Sequence, residues 1–309
     1  MDVITIGPKE IRSAIPMSDA IDAVRAGFVA MQRGEFEMPT RTALSDGAFL
    51  VMSAHHRPTA STMIKTLSLN FADRTPAIAG TVVWSELSHA RYLVADAAEV
   101  TCIRTGAIVG VATDLLAPAE AGTCAIIGAG GQAADQIRAV HAVRPLTGLQ
   151  IVDTNRDRAE VLADIIRAEL PVTDIVVGAD ADKAVRDVDI VCCATTSTTP
   201  LFSLDSLADR AHVNAIGAFR PTMRELPDEL LADATVVIDE REAVLEEAGE
   251  VIHALRQGAI TEGHLIELGT ALTDGVPPRA GRTVFKTVGV AMQDWAIAHL
   301  LAERYLSDE

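Results

Sequence analysis

Apolar positions along the chain follow two rhythms. In Ser18 to Gly34, Ala20, Ile21, Val24, Phe28 and Met31 recur at helical spacing, with Ser18 placed as the cap and Gly34 as the stop. From Arg41 to Trp84 the pattern breaks into short runs: Phe49 to Met52, Met63 to Leu69 and Ala79 to Trp84. Turn formers such as Asp73-Arg74-Thr75-Pro76 divide them, which predicts strands. Ala97 to Leu116 returns to helix, with Val100, Ile103, Ala107, Val111 and Leu115 on one side and Pro118 closing it.

At Thr123 the texture changes. Strands are predicted at Cys124 to Gly128, Leu149 to Asp153, Asp174 to Gly178 and Asp189 to Ala194. They alternate with helices at Gly131 to Val143, Arg156 to Leu170 and Asp180 to Asp187, and two more apolar runs follow, His212 to Gly217 and Ala234 to Asp239. This alternation predicts parallel βαβ units and a doubly wound α/β sheet. Apolar runs without internal alternation suit strands buried on both faces. A last helix, Val284 to Arg304, follows the Pro277-Pro278 break and is assigned back to the first part of the chain.

Composition narrows the class. The 309 residues, 49% apolar and 22% charged, fit two globular domains or one large α/β domain. A net charge of −17 repels polyanions, so nucleic acid and anionic membrane are not expected partners. No apolar run approaches the roughly 18–20 residues of a membrane span, and Met1-Asp2-Val3 lacks the basic head of a signal peptide. Cys102, Cys124, Cys192 and Cys193 show no metal-ligand spacing, and the adjacent pair reads as reduced core thiols. The expectation is a soluble, cytoplasmic protein of enzyme size without a metal.

Gly128-Ala129-Gly130-Gly131-Gln132-Ala133 is a GxGxxA loop that follows a strand and opens a helix. Gly128 makes the tight turn, Gly130 admits a pyrophosphate to the backbone and Ala133 permits close helix–strand packing. Asp153, at the end of the next strand, is placed to accept hydrogen bonds from an adenosine ribose and to repel a 2′-phosphate, which favours NAD(H). Arg156 follows it and is suited to hold a phosphate, so NADP(H) stays open.

Three cations stand apart in this acidic chain. Arg41 is the sole charge between Glu37 and Asp46, Lys65 between Arg57 and Asp73, and Arg104 between Glu99 and Asp114. Buried without a partner, each would cost several kcal/mol. A small carboxylate ligand would supply the missing charge, with the arginines orienting it and Lys65 adding a point charge.

At this point the chain resembles the ornithine cyclodeaminase/mu-crystallin family over nearly its whole length. The likeness rests on MPTRTAL (Met38 to Leu44), MIKTLS (Met63 to Ser68), TCIRTGA (Thr101 to Ala107), AIIGAGGQA (Ala125 to Ala133), VNAIGAFRPTMREL (Val213 to Leu226) and TVFKTVGVAMQD (Thr283 to Asp294). The resemblance implies an α/β fold in which a Rossmann doubly wound domain, 118–284, is inserted in a smaller α/β domain. That smaller domain, 1–117 plus 285–309, would bind substrate and form a homodimer. It also implies a nicotinamide cofactor acting on amino acids or cyclic imines, and a substrate carboxylate held by Arg41, Lys65 and Arg104. By the same resemblance, cofactor contacts fall on Gly131, Gln132, Asp153, Thr195, Ile216, Gly217, Ala218 and Thr287.

One departure shifts the expected reaction. Where ornithine cyclodeaminases carry an aspartate, alignment on Pro221 and Glu225 puts Phe219, which can neither accept a proton nor pair with an ammonium. The GAFRPTMREL form instead resembles the branch of ketimine and Δ1-pyrroline-2-carboxylate reductases. Hydride transfer to the C=N carbon of a cyclic ketimine carboxylate, giving L-proline or L-pipecolate, is therefore expected. An alanine-type amino-acid dehydrogenase is the alternative, then ornithine cyclodeamination. A non-catalytic, nucleotide-dependent binding protein of the mu-crystallin type is the alternative of another class. His55 and His56, in a loop after the Phe49 run, are candidate proton relays. Glu225 reads as a cap or a partner of Arg220 or Arg224, and Lys286 as lying near the cofactor or with its stem in the start of the last helix.

Overall fold

The computed structural model describes residues 2–71, 76–88, 90–276 and 281–306. Asp73 to Thr75 of the first expected turn and the Pro277-Pro278 break lie outside the described residues. Met1–Ile108 with Gly289–Glu309 makes one compact unit and Val109–Val288 another.

The first unit is built on a mixed sheet. Its strands are β1 Asp2–Ile6, β2 Phe36–Glu37, β3 Thr42–Leu44, β4 Phe49–His56, β5 Ser61–Leu69, β6 Ile78–Glu86 and β7 Arg91–Asp96. They lie in the order β1-β7-β6-β5-β4-β2, with β3 also paired to β4. Only β1–β7 is parallel; the other pairings are antiparallel. The expected runs all lie in strands, each longer than its apolar stretch. Alternation sorts the faces: Leu50, Met52, Ala54 and His56 of β4 are buried, as are Ser61, Met63, Lys65 and Leu67 of β5. The C-terminal helix Ala291–Tyr305 packs against β4, β5 and β6 and against the helix Met17–Gln32.

Two local expectations are corrected here. Ser18 is not the cap: Pro16 holds that place, and the Ser18 hydroxyl donates to the Asp19 carboxylate. His55 and His56 lie within β4 rather than in a loop, because β4 continues past the apolar run to its pairing with Ser61 and Thr62.

The second unit holds eight parallel strands. They are β8 Thr123–Ile127, β9 Gly148–Val152, β10 Asp174–Gly178, β11 Ile190–Cys193, β12 His212–Ala215, β13 Thr235–Ile238, β14 Leu265–Glu267 and β15 Thr283–Lys286. Their order is β10-β9-β8-β11-β12-β15-β13-β14. The chain winds outward from β8 in one direction and from β11 in the other, so the crevice at the β8/β11 carboxyl ends is a topological switch point. β11, β12 and β13 are buried at every residue, as expected for strands covered on both sides.

Three sequence expectations change. The predicted helix at Asp180 to Asp187 closes after Ala181–Ala184, because Val185 and Val188 turn into the core. Val284 to Lys286 is a strand, not the start of the last helix: buried Val284 and Phe285 fill a place between β12 and β13. Gly289, at φ +85°, then turns the chain, and the helix begins only at Ala291. Finally, Ala97–Leu116 is a helix as predicted but has no single apolar side, for every residue from Ile103 to Thr113 is buried. Its small residues, Thr105-Gly106-Ala107 among them, allow packing all round.

The expected boundaries were 117/118 and 284/285. The two units divide at 108/109 and 288/289, because Val109 already packs with Ala117, Ala121 and Cys124, and β15 is a sheet strand. No helix among the described residues is long and apolar enough to cross a membrane.

Candidate active site

In the first unit two of the three singular cations meet one carboxylate, and the third lies beside them. Strand alternation turns Lys65 inward, where its Nζ donates to Asp294 Oδ1 and to Thr101 Oγ1, both at 2.6 Å. Arg104 Nη1 donates to Gln293 Oε1 at 2.6 Å, and its Nε lies 3.5 Å from Asp294 Oδ1. Arg41 Nη2 donates to the Gly289 carbonyl at 2.6 Å. A side chain at 289 would collide with the Arg104 guanidinium, so glycine is what allows this approach.

The expectation that these cations lack a partner within the protein is thereby corrected: Asp294 lies 229 residues from Lys65 in sequence and pairs with it. Arg104 lies at the same carboxylate oxygen as Lys65, and Arg41 joins them through the Gly289 carbonyl. Burial pushes the Lys65 ammonium down to about 8; Asp294 opposes that shift, and Arg104 and Arg41 add to it. Asp294 Oδ2 and Gln293 Nε2 are buried and have no hydrogen-bond partner among the described residues. Such unspent polar atoms beside three gathered cations suit a small anion with a polar nitrogen.

Asp294, Gln293 and Thr101 were missed as site residues. A polar Gln-Asp pair inside the apolar AMQDWAIA helix, at the end of a stretch already matched to the family, was the available signal. The histidines are engaged elsewhere. His56 packs 4.7 Å from the Phe36 ring and 4.6 Å from Trp295, and its Nδ1 lies 2.9 Å from Thr59 Oγ1. His55 Nδ1 lies 3.0 Å from the Ser61 carbonyl. Lys65 pairs instead with Met52, in the middle of β4 and three residues before His55.

The second unit carries the glycine loop. Gly128 has φ +99°, and a Cβ there would meet the Ala194 carbonyl at 2.5 Å, so the turn requires glycine. A Cβ at Gly130 or Gly131 would face open space, and a cavity of about 380 Å³ runs from these residues past Ala134 to Asn155 and Arg158. An open backbone at the start of the helix Ala133–Val143 fits a pyrophosphate. Gln132 precedes that helix, and Ala133 is buried against the sheet.

Asp153 Oδ2 accepts from the Ala129 N–H at 2.7 Å and Oδ1 from the Asn155 N–H at 2.7 Å, fixing the carboxylate at the loop's edge. Arg156 does not reach back toward it. Its exposed guanidinium pairs with Glu160 one turn along its own helix.

The remaining cofactor candidates lie on the carboxyl rim of the same sheet. Glu225 Oε1 accepts from the Thr195 N–H (2.6 Å) and hydroxyl (2.9 Å), and Oε2 from the N–H groups of Gly217 (2.7 Å) and Ala218 (3.2 Å). Thr287 donates to Asp239, which also accepts from the Val288 N–H. Ile216 is hydrogen-bonded through its N–H to the Cys193 carbonyl.

Glu225 is thus a brace between loops rather than a partner of Arg220 or Arg224. Arg224 pairs with Asp228, while the Arg220 guanidinium lies 5.5 Å from the Phe219 ring. Lys286 sits on β15, fully buried, donating to the Ala218 carbonyl at 2.6 Å and 2.9 Å from Glu250 Oε1. Among the described residues no group of His, Cys, Asp and Glu is gathered for a metal.

Residues 5–309 match the sequence profile of the ornithine cyclodeaminase/mu-crystallin family. The chain belongs to that family. Within it, the chain is 31% identical to a Δ1-pyrroline-2-carboxylate reductase of Bacillus cereus, over 98% of this chain and 96% of that one. Among solved structures, the Δ1-pyrroline-2-carboxylate reductase of Thermococcus litoralis in complex with NADH and L-proline superposes with a TM-score of 0.92. Its identity is 27%, covering 99% of this chain and 98% of that one. An archaeal alanine dehydrogenase dimer with bound NAD superposes at 0.90 with 26% identity, covering 99% and 97%. The family's architecture, a doubly wound sheet with a second α/β unit, is the architecture of this chain.

Proposed function

We propose that the protein reduces a cyclic imine carboxylate, Δ1-pyrroline-2-carboxylate or its six-membered homologue, to L-proline or L-pipecolate. The observation that carries this reading is the gathering of three cations, Lys65 and Arg104 on Asp294 and Arg41 on the Gly289 carbonyl, beside Asp294 Oδ2 and Gln293 Nε2, buried polar atoms with no hydrogen bond among the described residues. A ligand bearing a carboxylate next to an imine nitrogen that still has its lone pair uses both. Its carboxylate meets Arg41 and Arg104, and its nitrogen lies within reach of Lys65, which hands it a proton; fixing that geometry contributes several kcal/mol. The likeness to reductases named for this substrate supports the same reading.

A bound nicotinamide supplies the hydride. The residues that would hold the dinucleotide are Gly128, Gly130, Gly131, Gln132 and Ala133 at the pyrophosphate, Asp153 at the adenosine ribose, and Thr195, Ile216 to Ala218 and Thr287 along the rim. NADH is the preferred form, because the Asp153 carboxylate is fixed in place and Arg156 is turned along its own helix. A homodimer belongs to the same proposal: the outer face of the first unit's sheet exposes Val3, Phe49, Ile64 and Tyr92.

An alanine-type dehydrogenase is the second reading, favoured by the likeness to the alanine dehydrogenase dimer and requiring the same carboxylate clamp. The test is NAD(P)H oxidation with pyrroline-2-carboxylate, piperideine-2-carboxylate, or pyruvate plus ammonia, each with NADH and NADPH. Fastest turnover of a cyclic imine with NADH is expected. Turnover of pyruvate plus ammonia alone would replace the first reading with the second, and tight cofactor binding without any turnover would leave only a binding protein.

A further inference from the structure

Among the ionisable side chains that the second unit buries, Glu225, Glu250 and Lys286 have no exposed surface and gather around one segment. Their arrangement singles out one peptide segment. Gly217 and Ala218 give both N–H groups to Glu225, while the Ala218 carbonyl accepts from Lys286, which Glu250 faces at 2.9 Å. The other oxygen of Glu225 holds Thr195, after β11. A side chain at 217 would strike the backbone of Thr195, so the two loops are already in contact and the carboxylate locks them at that separation. Glu225 is itself anchored, its carbonyl accepting from the Leu201 N–H.

Topology says which part of a ligand these loops serve. The adenosine ribose belongs at Asp153 after β9 and the pyrophosphate at the helix after β8, both on one side of the switch point. The dinucleotide's other half must then cross to β11 and β12, whose carboxyl ends carry Thr195 and Gly217–Ala218.

The geometry points to Glu225 as a positioning residue for the nicotinamide half of the dinucleotide: a carboxylate that never touches the ligand but sets the spacing of the two loops that do. Its four donors are all N–H or O–H, so only a group with two accepting oxygens satisfies them. Glu225→Gln keeps the shape but turns an NH2 toward either the Thr195 pair or the Gly217–Ala218 pair, and that loop is pushed away. This inference rests on the dinucleotide reading but not on the identity of the imine.

The experiment titrates wild type and Glu225→Gln with NADH, followed by nicotinamide fluorescence, and with ADP, followed by calorimetry. NADH affinity is expected to fall at least tenfold and ADP affinity to stay within twofold. Equal weakening of both ligands, or of neither, overturns the inference. Thr195→Ala removes one donor while leaving the carboxylate in place, and is expected to weaken NADH about threefold and leave ADP unchanged. An unchanged NADH affinity there counts against Glu225; should the glutamine variant fail to fold, Glu225→Asp, which keeps two accepting oxygens on a shorter stem, takes its place, with NADH again expected to weaken and ADP to stay within twofold. If wild type binds neither nucleotide, it is the dinucleotide reading that fails, a result distinct from both.

Discussion

The two units each bury a polar cluster, and the clusters are resolved in opposite ways. On the rim of the parallel sheet, Asp153, Glu225 and Asp239 are closed on backbone N–H groups and hydroxyls of their own loops. Those carboxylates shape the backbone. In the first unit, Lys65 and Arg104 share Asp294, Arg41 holds the nearby Gly289 carbonyl, and neighbouring polar atoms have no hydrogen bond among the described residues. A cluster that satisfies itself fixes geometry; one with polar atoms unspent is completed by a ligand.

Substitutions can break that contrast, and the largest effect belongs to the first unit's cluster. Lys65→Ala removes the proton donor and a clamp charge, so kcat/KM for the imine should fall about 100-fold, in the range of general acid catalysis. NADH affinity, measured by fluorescence, should not change. A parallel loss of NADH binding would mean that the cluster is structural.

Asp294→Asn comes next and sharpens the charge argument. Reduction needs the Lys65 ammonium, so activity should be flat below pH 8 and fall as pH rises through about 8, far below the ordinary lysine value of 10.5. Asp294 is the group that holds this value up. Without it the falling limb should move to lower pH, giving about a tenfold loss at pH 8. Breaking a buried pair should also lower the unfolding free energy by about 3–5 kcal/mol, measurable in urea. A limb that stays in place would remove Lys65 from the proton transfer.

The smallest effect is expected at Arg156. Its guanidinium is exposed and paired only along its helix, an arrangement worth about 0.3–0.5 kcal/mol. Arg156→Ala should change KM for either NADH or NADPH less than twofold. A much larger loss with NADPH would show that the side chain swings to a phosphate.

Local signals in the sequence revealed most of the parallel sheet. The glycine loop and the runs around Ile126, Ile151 and Val191 announce strands because they must be apolar on both faces. β15 escaped because four residues, Thr283–Lys286, run straight into Thr287 and Val288 and then a true helix, and no turn former separates the two rhythms before Gly289. The cations were visible as isolated charges in apolar stretches. Asp294 was legible only as half of a polar Gln-Asp pair in an apolar helix; that it meets Lys65, 229 residues away, appears only in the fold. Of the two readings of Glu225, the cap holds and the ion pair does not: arginines adjacent in sequence suggest a pair, but the carboxylate turns to backbone donors after β11 and β12.

The first unit is discontinuous in the chain, and this sets an order for its assembly. A ribosome adds about 5–20 residues each second, so the 109–288 stretch takes roughly 10–40 s to emerge after the sheet of the first unit. Throughout that interval Met63, Lys65 and Leu67 have no C-terminal helix to cover them. Nascent chains carrying this bare sheet are natural clients for holding chaperones, and release awaits the final 21 residues.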